Sequence, residues 1–533
     1  MTTKPAFFSE VWERACAEAA PDPNHAAGDL MKELAELLKV EQIEYAKLPG
    51  GALFLLDLSS LGFSQMSLNV MMVSHPPANP DQERDQAELL QQYKNAVRSV
   101  GFCFQIVLDD KLPPPNPFIS SSLDAVFISG ADLRRLFASD VPHGVFFEII
   151  RRQVRLENLC PFDTTHEARG AMFRGRRTEL NRLVVNLSTH FVLSGARRIG
   201  KTSLLKRAHE ALWRQRDFRD RTFYFNCITW GDYLDCAHRL AHQIDPKREV
   251  RIDRSPRNLA YLLERSSSRG TKPLVLFFDE MDRVVDSDAA KGWPFFSVLA
   301  EGAGAHWIRI VFAGYRSMGH LTLGEISGHS PSASRPDTPF LGSLEPIALH
   351  PLSRGDTTDL LAEPFRSVGI PIRRGDVLLD RIWQGTSGYP FLVQFYGERL
   401  FIRATERTPT EVQLEDVEAV ENSYELSDFL ETHFLENTID RGRPVASERL
   451  CAFLFAHHGV AEGWTEGDFL EYCRESGHEL DLKEIHDVLR NLYNAKVLSF
   501  CGGRYSFAFP LLRRILRQSF PDLESLLNSL DRR

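Results

Sequence analysis

Eight consecutive residues, Gly195-Ala196-Arg197-Arg198-Ile199-Gly200-Lys201-Thr202, have the types and spacing needed to hold a polyphosphate. The segment fits GxxxxGK[ST]; it follows an apolar run (Phe191, Val192, Leu193) and opens a helical pattern from Ser203 to about Leu212. Glycines let backbone N–H groups curl around a β-phosphate, and the helix N-terminus adds partial positive charge at the same place. Lys201 would pair with the β- and γ-phosphates, and the Thr202 hydroxyl would be a ligand of Mg2+. Further along, Leu274-Val275-Leu276-Phe277-Phe278-Asp279-Glu280 reads as a fully apolar strand that ends in two carboxylates. Asp279 would reach the hydrated Mg2+, and Glu280 would orient and deprotonate an attacking water. Asp282 and Arg283 follow, equally suited to a surface ion pair.

Elements must hold these groups in place. From Phe173 to about Leu352 strands alternate with helices, which predicts an α/β fold with a parallel sheet covered by helices. The five candidate strands are His190–Ser194, Thr222–Asn226, Leu274–Phe278, Ile308–Phe312 and Pro346–Leu349, with a mobile Ser/Gly/Pro-rich loop, Gly324–Gly342, before the last. The predicted division is an N-terminal α/β module over 1–160, a P-loop core over 161–352, a helical lid and connector over 353–440, and a C-terminal domain over 441–533. At 533 residues the chain is long enough for about three domains.

Composition narrows the class. With 43% hydrophobic and 25% charged residues the chain is neither disordered nor a polytopic membrane protein. Lys+Arg 63 against Asp+Glu 72 gives −9, so the whole molecule is no magnet for DNA or anionic lipid. Its 8 cysteines include no CxxC pair, so neither a zinc site nor a disulfide framework is expected. No signal core or membrane span is read, and a cytoplasmic setting is expected.

The motifs together resemble an AAA+-related P-loop ATPase, closest to the STAND branch and its prokaryotic archaeal-ATPase-like members, over Phe173–Arg403. Phe173-Arg174-Gly175-Arg176-Arg177-Thr178-Glu179-Leu180 resembles the F-x-G-R-x-x-E-L element whose backbone borders the adenine. Ala196 to Ser203 resembles the family's arginine-rich phosphate loop, and Asp279-Glu280-Met281-Asp282-Arg283 its D-E-x-D-R motif. Thr386-Ser387-Gly388-Tyr389-Pro390-Phe391 resembles the G-x-P motif of the lid, whose proline contacts the base. The resemblance implies ATP and Mg2+ as cofactors and places Phe173, Gly175, Arg176 and Pro390 at the nucleotide. It puts Arg316, after the Ile308–Phe312 strand, at the sensor position that reads the γ-phosphate. Arg197 and Arg198 are expected to face solvent, and no residue is identified as an arginine finger acting in trans, which favours slow turnover.

Residues from about Pro444 to Gln518 resemble a winged helix, with a Cys501-Gly502-Gly503-Arg504 turn suited to a wing. Its third helix carries Lys483, Glu484, His486, Asp487 and Arg490, a mixed face without a basic stripe, so DNA is a less favoured partner. Phe509-Pro510-Leu511 stands where STAND proteins carry a His-Pro-Leu, so phosphate sensing from this domain is not expected. The N-terminal part resembles a restriction-endonuclease-like core. Its strand Ser67–Val73 has no acidic-x-Lys motif, Asp109-Asp110-Lys111 falls after the helix, and Asp57 stands alone as a metal-ligand candidate. A sensor, adaptor or assembly module with a protein partner is expected there, not a nuclease. The favoured function is an ATP-driven switch, with homo-oligomers possible. The alternatives are an ATP-dependent, origin-recognition-like DNA-binding regulator and a scaffold that binds nucleotide without turnover.

Overall fold

The fold is taken from a computed structural model. It describes the chain apart from residues 1–3, 49–50, 59–60, 62–68, 93–102, 110–124, 155–158, 248–249, 315–343, 434–455, 457–462, 476–484 and 523–533, residues 169, 431 and 520, and scattered positions within 80–91 and 487–496. In chain order the elements are α1 (Lys4–Ala17), α2 (Ala26–Leu38), β1 (Glu41–Leu48), β2 (Gly51–Asp57), β3 (Asn69–Ser74), β4 (Cys103–Val107), β5 (Ala125–Ile128), α3 (Gly130–Ala138) and α4 (Pro142–Arg151). Then come α5 (Arg177–Val185), β6 (Phe191–Ser194), α6 (Lys201–Trp213), β7 (Thr222–Asn226), α7 (Tyr233–Ile244), α8 (Pro256–Ser268), β8 (Leu274–Asp279), α9 (Asp282–Ala289), α10 (Pro294–Gly304), β9 (Ile308–Ala313) and β10 (Glu345–Ala348). The rest are α11 (Arg354–Ser367), α12 (Gly375–Thr386), α13 (Pro390–Thr405), α14 (Leu414–Glu421), α15 (Tyr424–Leu430), α16 (Glu466–Glu475), β11 (Leu498–Cys501), β12 (Arg504–Phe507) and α17 (Pro510–Ser519).

Two units divide the chain, one of residues 1–174, 355–380 and 393–420, the other of residues 175–354, 381–392 and 421–533. The first contains a five-stranded sheet in sequential order, antiparallel from β1 to β3 and parallel from β3 to β5. Strand β1 is not among the predicted strands. It is an edge strand, half of its residues polar (Glu41, Gln42, Glu44 and Lys47), with Tyr45 54% exposed, so the continuous apolar run that reveals its buried neighbours is missing. Helix α2 buries Leu30, Met31, Leu34 and Leu38, the spacing of one helical face. Phe162 is buried in the same unit and its ring lies 5.2 Å from that of Phe365 on α11. Asp57 is half-buried at the end of β2. Asp110 and Lys111 lie outside the described residues.

The second unit is built on a parallel sheet in the order β10-β6-β9-β8-β7, with every pairing parallel, so the predicted α/β class holds. The predicted strands lie within a residue or two of the observed ones. Phe225, Phe278, Phe295 and Phe312 are buried in the aromatic core between the sheet and α7, α8 and α10. β9 carries a buried arginine, Arg309, whose guanidinium is committed to structure: it donates to the carbonyls of Thr189 (3.1 Å) and Leu183 (2.5 Å). His190 accepts from the Ile310 amide at 3.2 Å, and burial, with the Arg309 charge beside it, pushes this ring down from 6.5 to about 4. The folded chain therefore holds His190 neutral, whereas the unfolded chain protonates it near pH 6.5. Its contribution to stability is full above pH 6.5 and drains as pH falls towards 4. Thermal unfolding between pH 7 and pH 4 should show that slope, and His190→Gln is expected to flatten it.

Near the C-terminus, β11 and β12 form a hairpin over the Gly502-Gly503 turn, and α17 buries Leu511, Leu512, Ile515 and Leu516. Of the predicted third helix there, His486 is exposed with its Nδ1 3.1 Å from Glu466 Oε1; Lys483, Glu484, Asp487 and Arg490 lie outside the described residues. The loop predicted at Gly324–Gly342 and Arg316 lie outside them as well. Among the described residues, no helix is long and apolar enough to cross a membrane.

Candidate nucleotide site

β6 is paired on both sides, to β10 and β9, and its apolar residues Phe191, Val192 and Leu193 are fully buried. The strand therefore delivers the following loop to a fixed place at the carboxyl end of the sheet. A Cβ on Gly195 would lie 3.1 Å from both Ile199 Cγ2 and the Leu349 carbonyl oxygen, at a φ of +151°, so only glycine fits where the loop leaves the strand. At the other end, Gly200 has φ +101° and no atom within 4 Å of the Cβ it lacks. That space opens directly ahead of α6, whose N-cap is Gly200 and whose first turn receives no side-chain cap. A helix start of this kind, with open space before it, accepts an anion.

Lys201 is the first residue of α6 and is 9% exposed. Its Nζ donates to the Gly195 carbonyl at 3.0 Å and the Ala196 carbonyl at 2.9 Å, folding the side chain back over the loop. Burial lowers its affinity for the proton, while the carboxylates of Glu280, Asp282 and Asp279 act in the opposite direction. The lysine and the acids thus share one electrostatic neighbourhood. Thr202 is half-buried and Ser203 buried on the same turn.

Arg176 buttresses the loop. It is 5% exposed, and its Nη2 donates to the carbonyls of His350 (2.6 Å) and Ile199 (3.2 Å), with Glu179 3.7 Å from Nη1. Tyr389 reaches the loop from the turn between α12 and α13, its hydroxyl donating to the Arg197 carbonyl at 2.6 Å. That turn is fixed by consecutive left-handed residues, Ser387 and Gly388, and by the Leu352 amide donating to the Gly388 carbonyl at 2.7 Å. The Tyr389 ring also packs 5.8 Å from that of Phe509. Arg198, itself left-handed at φ +57°, carries its guanidinium 4.2 Å above the Phe391 ring, which stacks on Phe429 at 4.5 Å and meets His433 edge-on at 5.0 Å. Burial, followed by the Arg198 charge, pushes His433 down to about 4. Of the two arginines expected to face solvent, Arg198 is exposed, with its charged group engaged on an aromatic face, whereas Arg197 is half-buried.

The acids sit at the end of β8, buried between β7 and β9. Asp279 is 2% exposed, and both its oxygens accept hydrogen bonds: Oδ1 from the Glu280 amide at 3.0 Å and Oδ2 from the Tyr224 hydroxyl at 2.8 Å. The turn is pinned to both flanking strand ends, since the Cys227 amide donates to the Asp279 carbonyl (2.9 Å) and the Met281 amide to the Ala313 carbonyl (3.1 Å). Glu280 adopts φ +56°, a conformation that costs a non-glycine residue about 1–2 kcal/mol, and is half-buried. Burial first, then the neighbouring Asp279 charge, raises its pKa; Lys201 opposes the rise.

The site therefore brings together Gly195 to Ser203, Arg176, Asp279 and Glu280. Gly175 precedes Arg176 at φ +66°, and Pro390 starts α13 half-buried. Phe173 belongs to the other unit, where it is half-buried after the turn Gly170–Met172. Tyr224 and Tyr389 were not among the predicted residues. Tyr389 lies inside the Thr386–Phe391 motif, beside Pro390; for Tyr224 the signal is the alternation of Thr222, Tyr224 and Asn226 against Phe223 and Phe225, which puts it on one face of a strand.

Among the described residues, no three His, Cys, Asp or Glu side chains could by themselves hold a metal. A hydroxyl (Thr202) and a carboxylate (Asp279) are hard oxygen donors, too few for a protein cage and suited to Mg2+ shared with phosphate oxygens. With an uncapped helix start and a buried lysine alongside, this donor set fits a magnesium nucleoside polyphosphate.

Residues 186–318 match the family model described as an AAA domain, a segment that holds the phosphate loop, β7 and the acidic strand end. Among solved structures, a Walker-type ATPase of Pyrococcus abyssi is similar at 16% identity, over 67% of this chain and 99% of its own, with a TM-score of 0.49. Cdc6p of Pyrobaculum aerophilum is similar at 17% identity, over 64% of this chain and 94% of its own, with a TM-score of 0.33. The ORC2 protein of Aeropyrum pernix is similar at 14% identity, over 65% and 94%, with a TM-score of 0.42. No curated protein matches the chain.

Proposed function

Starting from the AAA-type, ATP-binding domain of residues 186–318, we propose that the protein is a slow ATPase that works as a STAND-like molecular switch, its nucleotide state biasing assembly with itself or with a protein partner. The observation that carries this reading is the buried Lys201 at an uncapped helix start in the electrostatic reach of Asp279 and Glu280. Lys201 pairs with the β- and γ-phosphates, and loop amides from Gly195 to Ser203 hold the phosphate oxygens. Thr202 and Asp279 hold Mg2+, which when bound neutralises charge on those oxygens. Glu280 accepts the proton of the water whose oxygen bonds to the γ-phosphorus as the bond to the β–γ bridging oxygen breaks. Gly175 and Pro390 border the base, Arg176 acts by supporting the loop, and Arg316 reads the γ-phosphate.

The switch reading is supported by Tyr389, whose hydroxyl holds the loop carbonyl of Arg197 while its ring lies against Phe509, next to α17. Tyr389→Phe keeps the ring and removes the hydroxyl. It is expected to weaken ATP binding about 3–10-fold, the worth of one hydrogen bond. Titration with a fluorescent nucleotide reads this, and an unchanged affinity removes Tyr389 from the coupling. The whole reading is tested by size-exclusion chromatography with ADP and then with a non-hydrolysable ATP analogue; identical elution and identical protease sensitivity in both would leave no switch.

One observation favours the second reading, an ATP-dependent DNA-binding regulator. On α17, Arg513, Arg514 and Arg517 line one cavity of about 420 Å³ together with Pro510 and Gln518. Two of them are partly engaged: Arg513 Nε donates to the Ala456 carbonyl at 3.1 Å, and Arg514 donates to the Glu421 carbonyl with the Glu421 carboxylate 4.0 Å away. A DNA shift assay across salt concentrations separates the two, because real phosphate contacts give a steep salt slope.

A further inference from the structure

We infer that Tyr224 is a positioning residue for the metal-binding carboxylate: its hydroxyl sets the orientation of Asp279 and thereby the protein's affinity for Mg2+ in the nucleotide complex. The inference rests on the reading of Asp279 as a magnesium ligand. Nothing in the phosphate loop or the acidic motif assigns a role to β7, the edge strand that carries Tyr224.

The register makes the contact specific. β7 and β8 pair in parallel with Tyr224 opposite Phe277 and Asn226 opposite Asp279, so Tyr224 and Asp279 lie on the same face, two positions apart along the strands. That offset is roughly 6.6 Å, which a phenol spans and a serine, threonine or histidine does not. The hydroxyl donates to Asp279 Oδ2 at 2.8 Å, while the Glu280 amide holds Oδ1 at 3.0 Å. With one donor on each oxygen the carboxylate plane is fixed, and each oxygen keeps a lone pair for a metal or a metal-bound water. The ring is itself held from α6, by the Lys206 ammonium 5.6 Å from its centroid and the His209 ring edge-on at 6.2 Å. Helix α6 begins at Lys201, so one rigid element carries both the phosphate lysine and the support of Tyr224. Hydrogen-bonding partners behind a metal ligand typically govern metal affinity by 10–100-fold.

The test is a Mg2+ titration of the binding of a fluorescent ATP analogue to the full chain, with Tyr224→Phe beside the wild type. Half-saturating Mg2+ is expected to rise about tenfold in the variant, while nucleotide affinity in EDTA stays at the wild-type value. Manganese binding to the nucleotide complex, followed by electron paramagnetic resonance, should weaken in parallel. Lys206→Ala, which removes one support of the ring but leaves the hydroxyl in place, is expected to shift the Mg2+ curve in the same direction and by less than Tyr224→Phe does. Superposable Mg2+ curves for wild type and Tyr224→Phe overturn the inference, as does an equal loss with and without the metal, which marks Tyr224 as structural. If Tyr224→Phe does not fold, Tyr224→His, whose ring stops short of Asp279, is read by the same two criteria. A wild type that binds nucleotide with no dependence on Mg2+ refutes the assignment of Asp279 itself, and the inference falls with it.

Discussion

Lys201→Ala is expected to abolish measurable ATP binding. The ammonium sits 9% exposed against the loop carbonyls of Gly195 and Ala196, where water screens it little. Truncating one partner of a buried, hydrogen-bonded charge pair costs roughly 2–5 kcal/mol, so the affinity should fall by about 30-fold to several thousandfold. Isothermal titration with ATP and with ADP checks this, alongside a circular dichroism melt to establish that the variant folds. Micromolar affinity retained by a folded Lys201→Ala protein would remove the phosphate site from the loop after Ser194.

Glu280→Gln should give the opposite separation, binding kept and chemistry lost. A positioned general base contributes about 10²–10⁴-fold, so single-turnover phosphate release is expected to slow by at least about 100-fold while ATP affinity changes less than threefold. The pH profile supplies a second readout. Because burial and the Asp279 charge raise the Glu280 pKa above its ordinary 4.5, the carboxylate is protonated at a higher pH than an exposed glutamate. A base must be deprotonated, so hydrolysis is lost as pH falls through that raised value, and the acid limb should disappear from what activity Glu280→Gln retains. Equal rates for the two proteins would reduce the chain to a nucleotide-binding scaffold.

The parts of this site legible in the sequence are those that depend on near neighbours. The phosphate loop needs glycines and a lysine at fixed offsets between a strand and a helix, and all of it lies within Phe191–Trp213. The acids end a run of six buried residues, so apolar character alone locates them. The supports of the site are a different matter. The Tyr389 hydroxyl meets a carbonyl 192 positions away and Arg176 one 174 positions away, distances over which no periodicity speaks. Tyr224 belongs to an edge strand whose register with β8 decides whether it reaches Asp279, and a shift of one residue would turn it away. Edge strand β1 was hidden for a related reason: with one flank unpaired it needs no apolar run.

The path of the chain through its two units limits how the protein can be cut apart. The backbone passes between them at 174/175, 354/355, 380/381, 392/393 and 420/421. A fragment ending at 318, where the recognisable domain stops, would lack β10 and so leave one flank of β6 unpaired beside the phosphate loop. It would also lose Tyr389 and the His350 carbonyl that anchors Arg176. Such a truncation is a poor surrogate for the full chain: it invites strand-to-strand aggregation and slackens the phosphate loop itself, so dissection is better done by point substitution in the intact polypeptide.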